Sequence, residues 1–178
     1  MKRTALLLAI SALPGLSFAA GSNTISFKGQ VSSQTCKVSV NGDQANPLIL
    51  LPTVSTSALN AANSTAGETA FTIALKDCTA PTTAAQNVNV VFASTNVSTS
   101  DNLLNTSGTA KNVALQLLKD PGGSAIPLSN GTATVPGLVL ALNQTEASHD
   151  YAVRYISEAG AATTGSVGAQ VQYSFSYL

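Results

Sequence analysis

Apolar and polar side chains alternate with a period of two along much of this chain, and that period predicts strands. The candidate strands are Ile25–Val31, Cys36–Val40, Leu48–Leu51, Thr69–Lys76, Val88–Ala93, Asn112–Lys119, Tyr151–Ile156 and Val167–Tyr177. Turn formers punctuate them at Asn41-Gly42-Asp43, Pro121-Gly122-Gly123, Asn130-Gly131 and Pro136-Gly137, residues that tolerate positive φ or fix the chain for a reversal. The alternation nominates four core faces: Phe71, Ile73 and Leu75; Val88, Val90 and Phe92; Val113, Leu115 and Leu117; Tyr151, Val153 and Tyr155. The stretch from Leu103 to Lys119 comes nearest to a helical period, and Asn105, Thr106, Ser107, Gly108 and Asn112 break it. The Ser/Thr/Asn/Ala-rich stretch from Thr53 to Thr69 reads as an exposed loop. Many short strands with such punctuation predict an all-β sandwich or barrel.

Both ends of the secreted part of the chain are patterned. Near the start, Ile25, Phe27, Gly29 and Val31 alternate with Ser26, Lys28, Gln30 and Ser32. At the other end, Val167, Ala169, Val171, Tyr173, Phe175 and Tyr177 alternate with Gly168, Gln170, Gln172, Ser174 and Ser176, to within one residue of the carboxylate. Chain ends are ragged unless something ties them down, so an apolar face at the extreme terminus calls for a partner surface.

Residues 1–19 carry basic Lys2 and Arg3, an apolar run from Ala5 to Leu13 and a small-residue site at Ser17-Phe18-Ala19, the three parts of a secretory signal peptide. The run is too short to span a bilayer, and cleavage after Ala19 leaves 159 residues, one domain with a real core. That mature chain has six Lys or Arg against eight Asp or Glu, which gives no footprint for nucleic acid. Cys36 and Cys78 are the only cysteines, and an even count behind an export signal predicts a structural disulfide. Two cysteines and one histidine fall short of a structural zinc set, and no cofactor or metal is implied.

Catalytic groupings are scarce. His149 adjoins Asp150, but neighbours on a strand point to opposite faces, and no Gly-x-Ser-x-Gly elbow supplies a nucleophile. The eight carboxylates are scattered through turns and strand ends, and no phosphate or calcium loop appears. Asn-x-Ser/Thr triplets at Asn63, Asn96, Asn105, Asn130 and Asn143 arise readily in such a composition. They leave open a second reading, a secreted complete immunoglobulin-like binding module, although that class packs a Trp against its disulfide and this chain has no Trp.

Taken together, the segment SFKGQV ahead of Cys36, the second cysteine closing TAFTIALKDC, the stretch NVALQLLKDPGGSAIPLSNG, and the tail with Gly165 fourteenth from the end and Tyr177 penultimate resemble a type 1-like fimbrial subunit of the chaperone–usher route. The resemblance implies an incomplete immunoglobulin-like β-sandwich (pilin fold) lacking its final strand, with residues 1–19 the signal peptide, 20–35 the donor-strand extension and start of the first strand, and 36–178 the pilin domain. It implies donor residues Ile25, Phe27, Gly29 and Val31, and a chaperone and acceptor edge at Gly165, Val171, Tyr173, Phe175 and Tyr177. The implied partners are a periplasmic pilus chaperone, an outer-membrane usher and neighbouring pilin subunits, and the implied destination is an extracellular fimbria on a bacterial surface that supports adhesion. The extension before SFKG is short beside typical major-subunit extensions and closer to those of minor tip subunits, which leaves the position along the fibre open.

Overall fold

The computed structural model describes residues 36–177. Eight strands form two antiparallel sheets: β1 (Lys37–Val40), β2 (Ser64–Lys76), β3 (Gln86–Ala93), β4 (Leu103–Leu104), β5 (Ala114–Leu118), β6 (Thr132–Leu140), β7 (Ala147–Ser157) and β8 (Gln172–Ser176). One sheet has the order β1-β2-β7-β5-β4 and the other β6-β3-β8. The sheets face each other across a core built from the faces that alternation nominates. Ile73, Leu75, Val88, Val90 and Tyr151 are fully buried, and Phe71, Phe92, Leu115, Leu117 and Val153 nearly so. Tyr155 is half-buried against this core, and Val113 is half-buried just ahead of β5.

Several readings of the sequence need correction. Leu48–Leu51 is extended but joins neither sheet. The expected loop at Thr53–Thr69 holds a 3-10 helix at Thr56–Leu59, and from Ser64 onward it is already β2. The pairing of β2 with β7 shifts between Ala66 and Thr69. Gly67 lies in that bulge at φ +64, where a Cβ would fall 2.8 Å from Val54 and 2.9 Å from the Tyr155 ring. A bulge of this kind shifts the parity of the strand and hides it from a period-two reading.

β6 was read only as turns. Its pairing with β3 runs Val88↔Leu138 and then Val90↔Val135, so Pro136 and Gly137 together oppose Asn89. That is a bulge inside an edge strand, where proline costs no ladder hydrogen bond on the solvent side. Finally, the C-terminal strand is hydrogen-bonded to β3 only from Gln172. The sequence pattern does not predict the two-residue β4, and β7 begins four residues ahead of Tyr151, at Ala147.

Cys36 and Cys78 are joined, with their Cα atoms 4.3 Å apart. The bridge sits where β1 begins and β2 ends. β1 is an edge strand of four residues that pairs only with β2 among the described residues, so the disulfide staples a short edge strand of the larger sheet to its neighbour. An exposed Lys37–Asp77 ion pair at 2.8 Å lies beside it.

Candidate functional site

Among the described residues the sandwich is open along one side. A groove of about 1220 Å³ enters the core there. Its floor includes Phe71, Ile73, Phe92, Leu115, Leu117 and Val153, residues drawn from both sheets. One wall is the C-terminal segment from Gly168 to Tyr173, and the other runs from Ala45 to Leu51 with Val40 at its base. No charged side chain lines it.

Neither wall is closed by hydrogen bonds. β8 pairs with β3 on one side (Phe92↔Tyr173, Val90↔Phe175) and has no strand on the other among the described residues. The opposite wall leaves β1 through a tight turn, with Asn41 at φ 50 and Gly42 at φ 85. The Asp43 carboxylate then accepts from the amides of Ala45 (2.8 Å) and Asn46 (3.2 Å) and sets the direction of the departing chain. From residue 44 to 54 no backbone hydrogen bond ties this wall to another described segment. Two backbone edges with no strand beside them among the described residues, facing an apolar slot, are what an added strand requires, because main-chain groups supply the ladder and alternate side chains fill the floor.

The residues proposed for the C-terminal edge divide between two places. Val171 and Tyr173 line the groove, and Phe175 and Tyr177 continue the same half-buried face farther along and pack against the core. The rings of Tyr173 and Phe175 meet edge to face at 5.9 Å. Gly165 lies elsewhere, outside the groove lining. It belongs to a lacing between residues 163–168 and 105–111: Ala110 N–H donates to Ser166 O (3.0 Å), Thr106 N–H to Gly168 O (3.0 Å) and Gly168 N–H to Asn105 Oδ1 (2.8 Å). Gly165 sits there at φ +152, and any side chain would run into the backbone of Ala110. The proposed donor residues Ile25, Phe27, Gly29 and Val31 lie outside the described residues.

Polar clusters elsewhere are internally satisfied. His149 and Asp150 diverge: His149 Nε2–H donates to Lys119 O (2.8 Å) beside Asp120 (3.3 Å), whereas Asp150 accepts from the Thr72 hydroxyl (2.6 Å) on the other face. On the outer face of the larger sheet, Arg154 donates twice to Gln116 Oε1, Gln116 donates to Asn102, and Asn102 donates to Glu158. Glu158 also accepts from the Ser98 hydroxyl, and no histidine is part of this network among the described residues. Among the described residues no three His, Cys, Asp or Glu side chains converge as a metal set. The disulfide joins neighbouring strands of one sheet, whereas the complete immunoglobulin-like module would place it between sheets.

Comparison with known proteins agrees with this architecture. The family model for fimbrial protein matches residues 25–178. The F17 fimbrial protein of Escherichia coli is 39% identical over 158 residues, which covers 86% of either chain. Among solved structures, a Burkholderia pseudomallei antigen and type I fimbria protein aligns with a TM-score of 0.54 at 22% identity, over 81% of this chain and 95% of that one. A subunit from the structure of a chaperone–usher pilus aligns with a TM-score of 0.52 at 18% identity, over 92% of this chain and 100% of that one. At such identities the two structures speak for the fold alone. The match of the family model across nearly all of the chain, together with the F17 relative, establishes that this chain belongs to the fimbrial protein family and is a structural subunit of a pilus.

Proposed function

We propose that this subunit polymerises by donor-strand exchange: the groove between β8 and the 45–51 wall receives the Ile25–Val31 segment of the next subunit. The observation that carries this reading is the open apolar groove with an unpaired strand edge on one side and an unbonded extended wall on the other. The alternation of Ile25, Phe27, Gly29 and Val31 supplies four inward positions for such a slot. Gly29 gives the close backbone approach that a side chain would block.

A groove exposing the core calls for a stand-in before assembly, so a periplasmic chaperone lends a strand first and an outer-membrane usher presides over the exchange. Export starts with removal of residues 1–19 and ends on the cell surface. The role is structural, with adhesion belonging to the assembled fibre, and the mechanism needs no cofactor and no catalysis. Residues 20–35 act as the extension and residues 36–178 as the accepting domain.

Gly29→Leu tests the assignment. Expressed with its chaperone, the variant is expected to yield the subunit–chaperone complex at the wild-type level but no SDS-resistant ladder of polymers. Ladders of normal length from this variant would overturn the donor assignment.

A further inference from the structure

The chain contains two Asn-Gly steps, Asn41-Gly42 and Asn130-Gly131, and the fold treats them differently. Such a step is open to attack by the following backbone nitrogen on the side-chain amide carbon, because glycine carries no Cβ to block the approach. At Asn130-Gly131 that nitrogen is occupied. Its N–H donates to Leu128 O (2.8 Å), and Gly131 is buried so tightly that a Cβ would fall 2.5 Å from Ser94 O. At Asn41-Gly42 both residues are exposed, the Gly42 N–H makes no backbone hydrogen bond among the described residues, and a Cβ on Gly42 would meet nothing within 4 Å.

The electrophile is also held in a way that favours reaction. Asn41 Oδ1 accepts from the Thr72 N–H (2.8 Å), a fixed donor placed where negative charge develops as a nitrogen adds to Cγ. Ring closure turns the Asn41–Gly42 peptide and breaks the two bonds that close the hairpin, Val40 N–H to Asp43 O (2.8 Å) and Asp43 N–H to Val40 O (3.0 Å). Both lie at the exposed end of an edge strand, where local opening costs little.

We propose that Asn41 is a site of spontaneous deamidation and that its isoaspartate form displaces the 45–51 wall. The Gly42 nitrogen loses its proton to hydroxide and adds to Asn41 Cγ. The new N–Cγ bond replaces the Cγ–Nδ2 bond, and ammonia departs with a proton from water. Water then opens the succinimide. Attack at the side-chain carbonyl leaves aspartate on an unaltered chain, whereas attack at the main-chain carbonyl leaves isoaspartate, with the backbone rerouted through Cβ and Cγ and longer by one methylene. No oxidant or reductant takes part. The added length falls between β1 and the Asp43 carboxylate, whose bonds from the Ala45 and Asn46 amides aim the wall, and a second carboxylate arrives beside the first, where like charges repel. The effect on the groove rests on the donor-strand reading above, and the modification itself does not.

The subunit–chaperone complex, held in mildly alkaline buffer and sampled over time, tests both parts. Peptide mass spectrometry should find the amide replaced by a carboxyl at Asn41 first, at a rate that rises with hydroxide concentration, with Asn130 lagging and the isoaspartate accepting a methyl group from isoaspartyl methyltransferase. No conversion at Asn41, or conversion at Asn130 as fast as at Asn41, would overturn the modification site. A partly converted sample is then offered a synthetic peptide of residues 20–35, and the forms of Asn41 are compared between subunits that have exchanged the chaperone for the peptide and those that have not. Isoaspartate should be enriched among subunits that have not exchanged, and equal proportions would overturn the effect on the wall. Exchange by neither form would overturn the donor-strand reading and the wall effect with it, while the conversion at Asn41 stands on the mass measurement alone.

Discussion

Tyr151 has the one buried side-chain polar atom without a hydrogen-bond partner among the described residues. Its ring stacks on Phe71 and meets Phe92 and His149 edge to face, with centroids 4.6 to 5.8 Å away. Burial, and secondarily the negative charge of Asp120, pushes its phenol from 10.0 up to about 12. Below pH 10 the phenol is neutral whether the chain is folded or not. Above it the unfolded chain ionises first, so this group's contribution to stability is lost as pH rises from 10 towards 12. Tyr151→Phe should abolish that component of the alkaline loss. Because an orphaned buried hydroxyl is costly, the same change should also raise stability at neutral pH by about 1 kcal/mol. Denaturant unfolding of the domain complemented with a synthetic peptide of residues 20–35 measures both, and lower stability of the variant at pH 7 would mean that the hydroxyl has a partner after all. The asparagines, too, have mostly conformational work. Asn63, Asn130 and Asn143, each the start of an Asn-x-Ser/Thr triplet, all adopt φ between 54 and 60, a region in which asparagine is tolerated better than most residues. At these positions the triplets are turn chemistry.

At the level of elements, legibility followed regularity. β3 buries every second residue from Val88 to Phe92, and the sequence predicts it, as it does the centre of β7, where Tyr151, Ala152 and Val153 are buried in succession. Where a bulge resets the parity, at Gly67 in β2 and at Pro136-Gly137 in β6, the sequence predicts loop for residues 64–68 and turns for β6, while residues 69–76 of β2 read as a strand. The four-residue apolar run at 48–51 looks like a strand in sequence but lacks a partner among the described residues, and pairing is a tertiary property that periodicity does not report. β1 shows what holds such marginal elements. Closing the Cys36–Cys78 loop, with its separation of 42 residues, contributes at most about 4 kcal/mol through the unfolded chain. Replacing both cysteines with serine should therefore lower the stability of the peptide-complemented domain by up to that amount and weaken capture by the chaperone, since β1 leads directly into the 45–51 wall. A double variant with unchanged unfolding and capture would show that the β1 edge is held by its ladder alone. β8 is tested by truncation after Gln172, which removes Tyr173 and Phe175 from their pairing with Phe92 and Val90. Loss of chaperone capture is the expected result, and a stable soluble monomer would count against the acceptor edge.

On the scale of the whole molecule, sequence disclosed the fold class, the disulfide and the exceptional terminal strand, because each is written in local pattern or in cysteine count. The groove was legible only through family resemblance. Its floor gathers Phe71, Phe92, Leu115 and Val153 from four strands distant in sequence, and the opening between them comes from packing. Head-to-tail filling of such a groove is a heterologous contact that does not close on itself, and open fibres are its natural product.

The groove also separates the chain that carries a mutation from the chain that suffers it. Under the donor-strand exchange proposed above, its walls and floor are encoded in one subunit and its filling in the next, so a damaged Phe27 or Gly29 would leave its own domain's groove intact and strip the core cover from a neighbour. In a cell making both forms, a donor-defective subunit could still receive a strand but could not give one. Under that order of addition it could begin a fibre but never extend one, so mixed fibres would carry the defective form only at the end where assembly starts.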